Sequence, residues 1–200
     1  PLTLNGTGGT SAGMWYNNNK TAASYFCYPD RAFDNRTEYS EGRGRALAAW
    51  NKCGGKLNIV YTITNGMAHA IGGYRIAVDS GARAPKTWTI YGSNDYNPAN
   101  ASPATAGNDM SSATWTVIDS RSNETDWTNG GYRAFTCNGD YTTAYQSIRI
   151  CVTACNASDW LTFGEIEYFA YCSGNPNGGI PDLAEGGTAT CRPAQPTFWY

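Results

Sequence analysis

The chain has 200 residues, one domain's worth, with 15% charged residues and a formal net charge of −2. That balance excludes a basic surface for a nucleic-acid partner. No apolar run approaches the ~18 residues of a membrane span, and no basic-then-apolar leader opens the chain, so an exported form would already have lost its signal. Seven Trp, 14 Tyr, 6 Phe and 23 Gly favour short strands and turns over helices.

In chain order, residues 1–27 read as an Asn-, Thr- and Gly-rich extension with one aromatic pair, Trp15-Tyr16, and little contribution to a core. Residues 44–52, Gly-Arg-Ala-Leu-Ala-Ala-Trp-Asn-Lys, predict the one short helix. From Leu57 the apolar period becomes two: Leu57, Ile59, Tyr61 and Ile63 alternate with Asn58, Val60, Thr62 and Thr64, the pattern of a half-buried strand. Asn65-Gly66 marks a turn. Tyr74, Ile76 and Val78, then Trp88 and Ile90, repeat the alternation, and Gly72-Gly73 reads as a bulge or close-packing point. Residues 94–113 form a long loop. Trp115 and Val117 open another strand, with Trp88 and Trp115 assigned to the core. Ile148, Ile150 and Val152 form the next, and Leu161 to Phe169 a last long one. Such strands and turns predict an all-β, antiparallel jelly-roll sandwich. The Gly/Pro-rich tail, 172–200, ends in Phe198-Trp199-Tyr200.

Seven cysteines, Cys27, Cys53, Cys137, Cys151, Cys155, Cys172 and Cys191, accompany a single histidine, His69, and no close CxxC pair. A disulfide framework is favoured over zinc. Local pairing joins Cys27 with Cys53 and Cys172 with Cys191. Cys137, Cys151 and Cys155 then compete for one bond, leaving a buried thiol or an intermolecular link. Six N-x-Ser/Thr sequons, at Asn5, Asn19, Asn35, Asn100, Asn123 and Asn156, lie in polar, turn-like stretches. Cysteines and sequons together predict an extracellular, N-glycosylated protein.

Six segments in order carry a family resemblance: Ala32-Phe33-Asp34, Tyr74-Arg75-Ile76, the run from Lys86 to Asp95 with its Gly92-Ser93-Asn94-Asp95 ending, Trp115-Thr116-Val117-Ile118-Asp119, the run from Tyr145 to Ile150, and the run from Gly164 to Phe169. Residues 28–171 resemble the discoidin-like (F5/8 type C) modules, the carbohydrate-binding jelly rolls. The resemblance implies about eight antiparallel strands between extended terminal segments. It implies no catalysis, and binding of glycans, phospholipid head groups or other proteins, including matrix and cell-surface proteins, through loops at one end. It requires no cofactor, but implies a structural calcium at Asp34 and Glu165, with Thr37 a weaker ligand. Asn35 stands where the family has Gly.

Sugar binding needs an aromatic face with amide, acid and guanidinium groups around it. Trp127, Asn129, Tyr132 and Arg133, around an Asn-Gly-Gly turn, form the best-placed set, with Trp160 a second platform. For each Trp the competing assignment is a core or loop anchor. A rival role is structural: Leu2 and Leu4, or Phe198, Trp199 and Tyr200, adding to a neighbour's sheet edge and building filaments head-to-tail. A glycoside hydrolase using Glu165 and Glu167, which share one strand face, is the remote alternative. His69 lacks a nucleophile elbow and reads as a sheet-end histidine.

Overall fold

The computed structural model describes residues 32–33, 50, 55–63, 68–97 and 113–171, and the backbone path of 9–16 and 46–49. Eleven strands are seen among these: β1 (Gly9–Tyr16), β2 (Ala46–Ala49), β3 (Leu57–Ile63), β4 (His69–Ala77), β5 (Pro85–Ser93), β6 (Thr116–Arg121), β7 (Tyr132–Thr136), β8 (Ala144–Tyr145), β9 (Ser147–Cys155), β10 (Trp160–Phe163) and β11 (Glu165–Ala170). One sheet has the order β1-β3-β9-β5-β6. The other has β11-β4-β7, with β8 paired to β4, while β10 and β2 form a separate ribbon. Every pairing is antiparallel. The chain crosses repeatedly between the two sheets, so strands distant in sequence become neighbours, as in β3 with β9. This is the all-β jelly-roll architecture expected.

The alternation predicted for β3, β4, β5 and β9 builds the core. Leu57, Ile59, Tyr61, Trp88, Ile90, Ile148, Ile150 and Val152 from the larger sheet pack with Tyr74, Ile76, Phe135, Ile166 and Tyr168 from the smaller. Each such side chain contributes about 1.5–3 kcal/mol by leaving water. Phe33 joins this core 4.8 Å from Tyr61, centroid to centroid. Tyr74 sits between its cross-strand partners Tyr168 and Phe135, stacked on the latter at 5.2 Å.

Several expectations are corrected. Ala46–Ala49 is a strand, paired with Trp160–Phe163. A short Ala-rich segment too small to sustain its own helix instead completes hydrogen bonds for β10. β3 is buried on both faces, not one: Asn58 and Thr62 are as inaccessible as their apolar neighbours. The predicted strand from Leu161 to Phe169 is two strands, broken at Gly164, whose N–H donates to the Ala77 carbonyl at 2.8 Å. β1 places residues inside the supposed N-terminal extension at the edge of the larger sheet. Gly72, by contrast, is a bulge as expected, skipped where Phe169 pairs Gly73 and Ala170 pairs Ile71.

Trp115 is half-buried but not in the core; it lies ahead of β6, beside Tyr96. The cause is another bulge. Ile90 pairs with Asp119 and Tyr91 with Val117, so Ile118 has no partner of its own. The extra residue reverses the side-chain parity: Ile118 and Asp119 are buried and Val117 is 42% exposed. Trp115 and Tyr91 instead hold the Arg149 guanidinium between their rings, at 4.3 and 4.2 Å. The Asn65-Gly66 turn, residues 98–112 of the expected loop and the tail 172–200 lie outside the described residues. Among the described residues no helix is long and apolar enough to cross a membrane.

Candidate functional site

β4 and β9 end, and β5 and β7 begin, at the same end of the sandwich, so three connections converge there: 78–84, 122–131 and 156–159. Their junction is the 3-10 turn Gly81–Arg83. The Asn129 side-chain carbonyl accepts the Gly81 N–H at 2.7 Å. On the other side, the Asn156 amide donates to the Gly81 carbonyl at 3.2 Å. Gly130 N–H reaches the Val78 carbonyl at 2.8 Å, and Asn156 N–H the Ala84 carbonyl at 3.0 Å. One glycine, through its N–H and its C=O, thus ties two loops. A side chain at Gly81 would bring a Cβ within 2.6 Å of the Trp127 carbonyl oxygen, and real Cβ atoms do not approach backbone so closely.

The five predicted binding residues divide among three places. Trp127 is half-buried, with its ring centroid 5.9 Å from Trp88 and 6.3 Å from Phe135. Its indole donates to the Glu124 carbonyl at 3.3 Å. The loop-anchor assignment describes this geometry. Arg133 lies 4.9 Å over the Trp127 ring and pairs with Glu124 at 2.6 Å. Asn129 is exposed, with its carbonyl oxygen engaged by Gly81.

Tyr132 is not with them. Consecutive strand residues face opposite ways, and Tyr132 projects from the outer face of the smaller sheet, 4.1 Å beneath the Arg75 guanidinium. Burial first, then the nearby Glu167, raises its hydroxyl pKa. Trp160, at the start of β10, is half-buried, and its carbonyl accepts the Cys155 thiol at 3.2 Å. Leu161 and Phe163 are core residues while Trp160 is outside the core cluster. Next to it, Asp159 and Arg83 approach within 3.8 Å, their side chains 51% and 38% exposed. Sequence reasoning overlooked Gly81–Arg83, whose only signal was a Ser-Gly punctuation after the β4 pattern.

Glu167 receives two hydrogen bonds from Arg75, both 2.8 Å. Glu167 is 5% exposed and Glu165 1%. Carboxylates buried in this way, one with both oxygens on a guanidinium, do not form the open acid pair of a glycosidase. Asp34 and Thr37 lie outside the described residues. Glu165 faces the charges of Arg75 and the Tyr132 hydroxyl, and among the described residues no three His, Cys, Asp or Glu side chains converge as metal ligands.

Cys137, Cys151 and Cys155 are free thiols, so the bond expected among these three is not formed. Burial raises the pKa of each. Cys27, Cys53, Cys172 and Cys191 lie outside the described residues, as do Asn5, Asn19, Asn35 and Asn100, and Leu2, Leu4, Phe198, Trp199 and Tyr200.

No protein-family model matches the sequence, and no curated protein matches it. Solved structures do match in three dimensions. Chitosan-binding module 1 from the chitosanase/glucanase of Paenibacillus sp. IK-5 shares 16% identity and a TM-score of 0.52, covering 82% of this chain and 96% of that one. Chitosan-binding module 2 of the same enzyme, in complex with chitotriose, gives 16% and 0.52 over 80% and 95%. The family 32 carbohydrate-binding module of C. perfringens NanJ, in complex with galactose, gives 12% and 0.51 over 80% and 92%. Identities this low establish likeness of fold. The chain has the discoidin-like jelly-roll fold that these carbohydrate-binding modules share.

Proposed function

We propose that this protein is a secreted, non-catalytic module that binds glycans of the extracellular matrix or cell surface at the end of the sandwich where loops 78–84, 122–131 and 156–159 meet. The observation that carries the reading is the Gly81 junction: a rim of exposed polar groups, Asn129, Arg83 and Asp159, is tied together through the N–H and C=O of one glycine. Sugar hydroxyls are recognised by such fixed amide, acid and guanidinium groups, and preorganisation lowers the ordering cost of binding. Trp160, adjacent to Asp159 and outside the core cluster, supplies the aromatic face. Trp127 and Arg133 act behind this rim, holding the 122–131 loop to the core. Family likeness to carbohydrate-binding modules at the level of fold supports the reading and leaves the ligand to the site.

A glycan array probed with the purified chain tests it. Trp160→Ala and Arg83→Ala should each lower binding of the captured glycan at least tenfold, whereas Tyr141→Ala, at the opposite end, should leave it unchanged. No captured glycan, or equal binding by all three variants, would overturn it.

A further inference from the structure

We propose that Asn123 carries an N-linked glycan and that Asn156, the other sequon among the described residues, does not. This rests on the secreted reading above. The two sites are chemically alike in sequence, Asn-Glu-Thr and Asn-Ala-Ser, and differ in what the fold does with the acceptor nitrogen.

Attachment joins Asn Nδ2 to C1 of an oligosaccharide delivered on a lipid diphosphate. The N–C1 bond forms, the C1–O bond to phosphate breaks, one Nδ2 proton is lost and the lipid diphosphate leaves. The product amide keeps one N–H and must have a sugar ring next to the nitrogen. Asn123 meets this requirement. It is exposed, and its side chain makes no hydrogen bond among the described residues. Its φ of +60° is left-handed, a conformation Asn tolerates better than most residues. The backbone holds that conformation from both sides: Asn123 N–H donates to Thr87 Oγ1 at 3.3 Å, and Glu124 N–H to the Lys86 carbonyl at 2.8 Å. The surroundings are hydroxyl-bearing, with exposed Ser120, Ser122 and Thr153 near Thr87 and Thr89.

Asn156 offers the reverse. It is half-buried, and Nδ2 itself is 3.2 Å from the Gly81 carbonyl. Its own N–H is tied to Ala84, which fixes the backbone at the turn, and swinging the side chain out would break its bond to Gly81. Gly81 cannot retreat, because Asn129 and the Trp127 carbonyl close on its other side. A sugar on Asn156 would therefore part the junction that ties the two loops.

Secretion of the full chain from a eukaryotic host, followed by glycopeptide mass spectrometry, decides the matter. The expected result is a glycan on the Asn123 peptide and an unmodified Asn156 peptide. Asn123→Gln should remove one glycan's mass, and Asn156→Gln none. Thr125→Ala destroys the acceptor signal while keeping the Asn that the left-handed backbone favours, so it reads occupancy even if Asn123→Gln misfolds. A folded, secreted chain with Asn156 occupied, or with Asn123 bare, overturns the assignment. Native material lacking glycan at every sequon, while the host-secreted chain carries one at Asn123, would count against the secreted reading and not against the site.

Discussion

Trp88 donates its indole N–H to the Tyr74 hydroxyl at 2.8 Å, and Tyr74 donates in turn to Asp119 Oδ2 at 2.5 Å. Asp119 is wholly buried. It also accepts from Arg121 at 2.7 and 3.0 Å and from the Asn138 N–H at 3.1 Å. Arg121 reaches on to the Thr136 carbonyl. The network therefore crosses between the edges of the two sheets, from β6 to β7, through fully matched donors and acceptors. Removing one member leaves the others desolvated and unpaired.

Asp119→Ala should accordingly destabilise the fold by about 3–5 kcal/mol, the cost of breaking a buried ion pair from one side. Tyr74→Phe should cost less, about 1–3 kcal/mol, for an indole N–H left without an acceptor. Urea unfolding of both variants measures this. A loss below that of a surface substitution for Asp119→Ala would show that the network is not a stabilising link.

Gly92, near the end of β5, makes a packing prediction. A Cβ on Gly92 would fall on the ring of Tyr145, whose hydroxyl is held by Asp140 at 2.8 Å. The ring cannot turn away without losing that bond. Gly92→Ala should destabilise by about 1–3 kcal/mol, as overpacking does. Tyr145→Leu in the same chain should recover part of the loss. A double-mutant cycle reads the coupling directly, and additive effects would contradict the contact.

How much of this was legible in the sequence depends on parity. Where a strand keeps strict alternation, as Tyr74-Arg75-Ile76 does, the inward residues and even the outward ion pair of Arg75 with Glu167 follow from period two. Where a bulge intervenes at Ile118, parity inverts and Trp115 is misassigned, because nothing local announces the extra residue. The burial of Asp119 beside Ile118 follows from the same extra residue. Ala46–Ala49 has helix-forming residues, and only the distant partner Trp160–Phe163 makes it a strand. At the candidate site, the segment 124–133, which reads as one unit in sequence, is divided by the fold. Its division between Arg133 on the rim side and Tyr132 on the outer face again follows from alternation across β7. The Gly81 junction is illegible because its role is carried by the backbone N–H and C=O of a residue without a side chain.

His69, the chain's single histidine, predicts a pH dependence. Burial lowers its pKa from the ordinary 6.5. The unfolded chain therefore takes up a proton at a higher pH than the folded chain does. Stability is full above pH 6.5 and declines as pH falls through that value, levelling once the folded imidazole protonates. In His69→Gln this slope should disappear, as followed by unfolding free energies at half-unit pH steps. An unchanged slope in the variant would assign it elsewhere.

The free thiols give a reactivity prediction. Only the thiolate is nucleophilic, and burial raises the pKa of Cys137, Cys151 and Cys155. A thiol reagent at pH 8 should leave Cys137 and Cys151 unmodified in the folded chain and label both on unfolding. Peptide mapping after a timed exposure distinguishes the sites. Labelling of Cys137 at the rate of a free thiol would contradict its burial.

Gly81→Ala and Asn129→Ala both act on the loop junction but by different means, and the pair isolates its role. The first adds a methyl group 2.6 Å from the Trp127 carbonyl, displacing the 122–131 loop. The second removes the acceptor of the Gly81 N–H on the exposed side of the turn, where water can substitute. Gly81→Ala should therefore speed amide exchange in both loops, because the Asn156 tie on its other side is strained as well. Asn129→Ala should speed exchange in 122–131 alone. If the junction sets the rim's geometry, glycan affinity should fall more for Gly81→Ala than for Asn129→Ala while the core strands keep their protection. Exchange that rises equally throughout the sandwich in Gly81→Ala would make the residue a general packing site, with no special hold on the two loops.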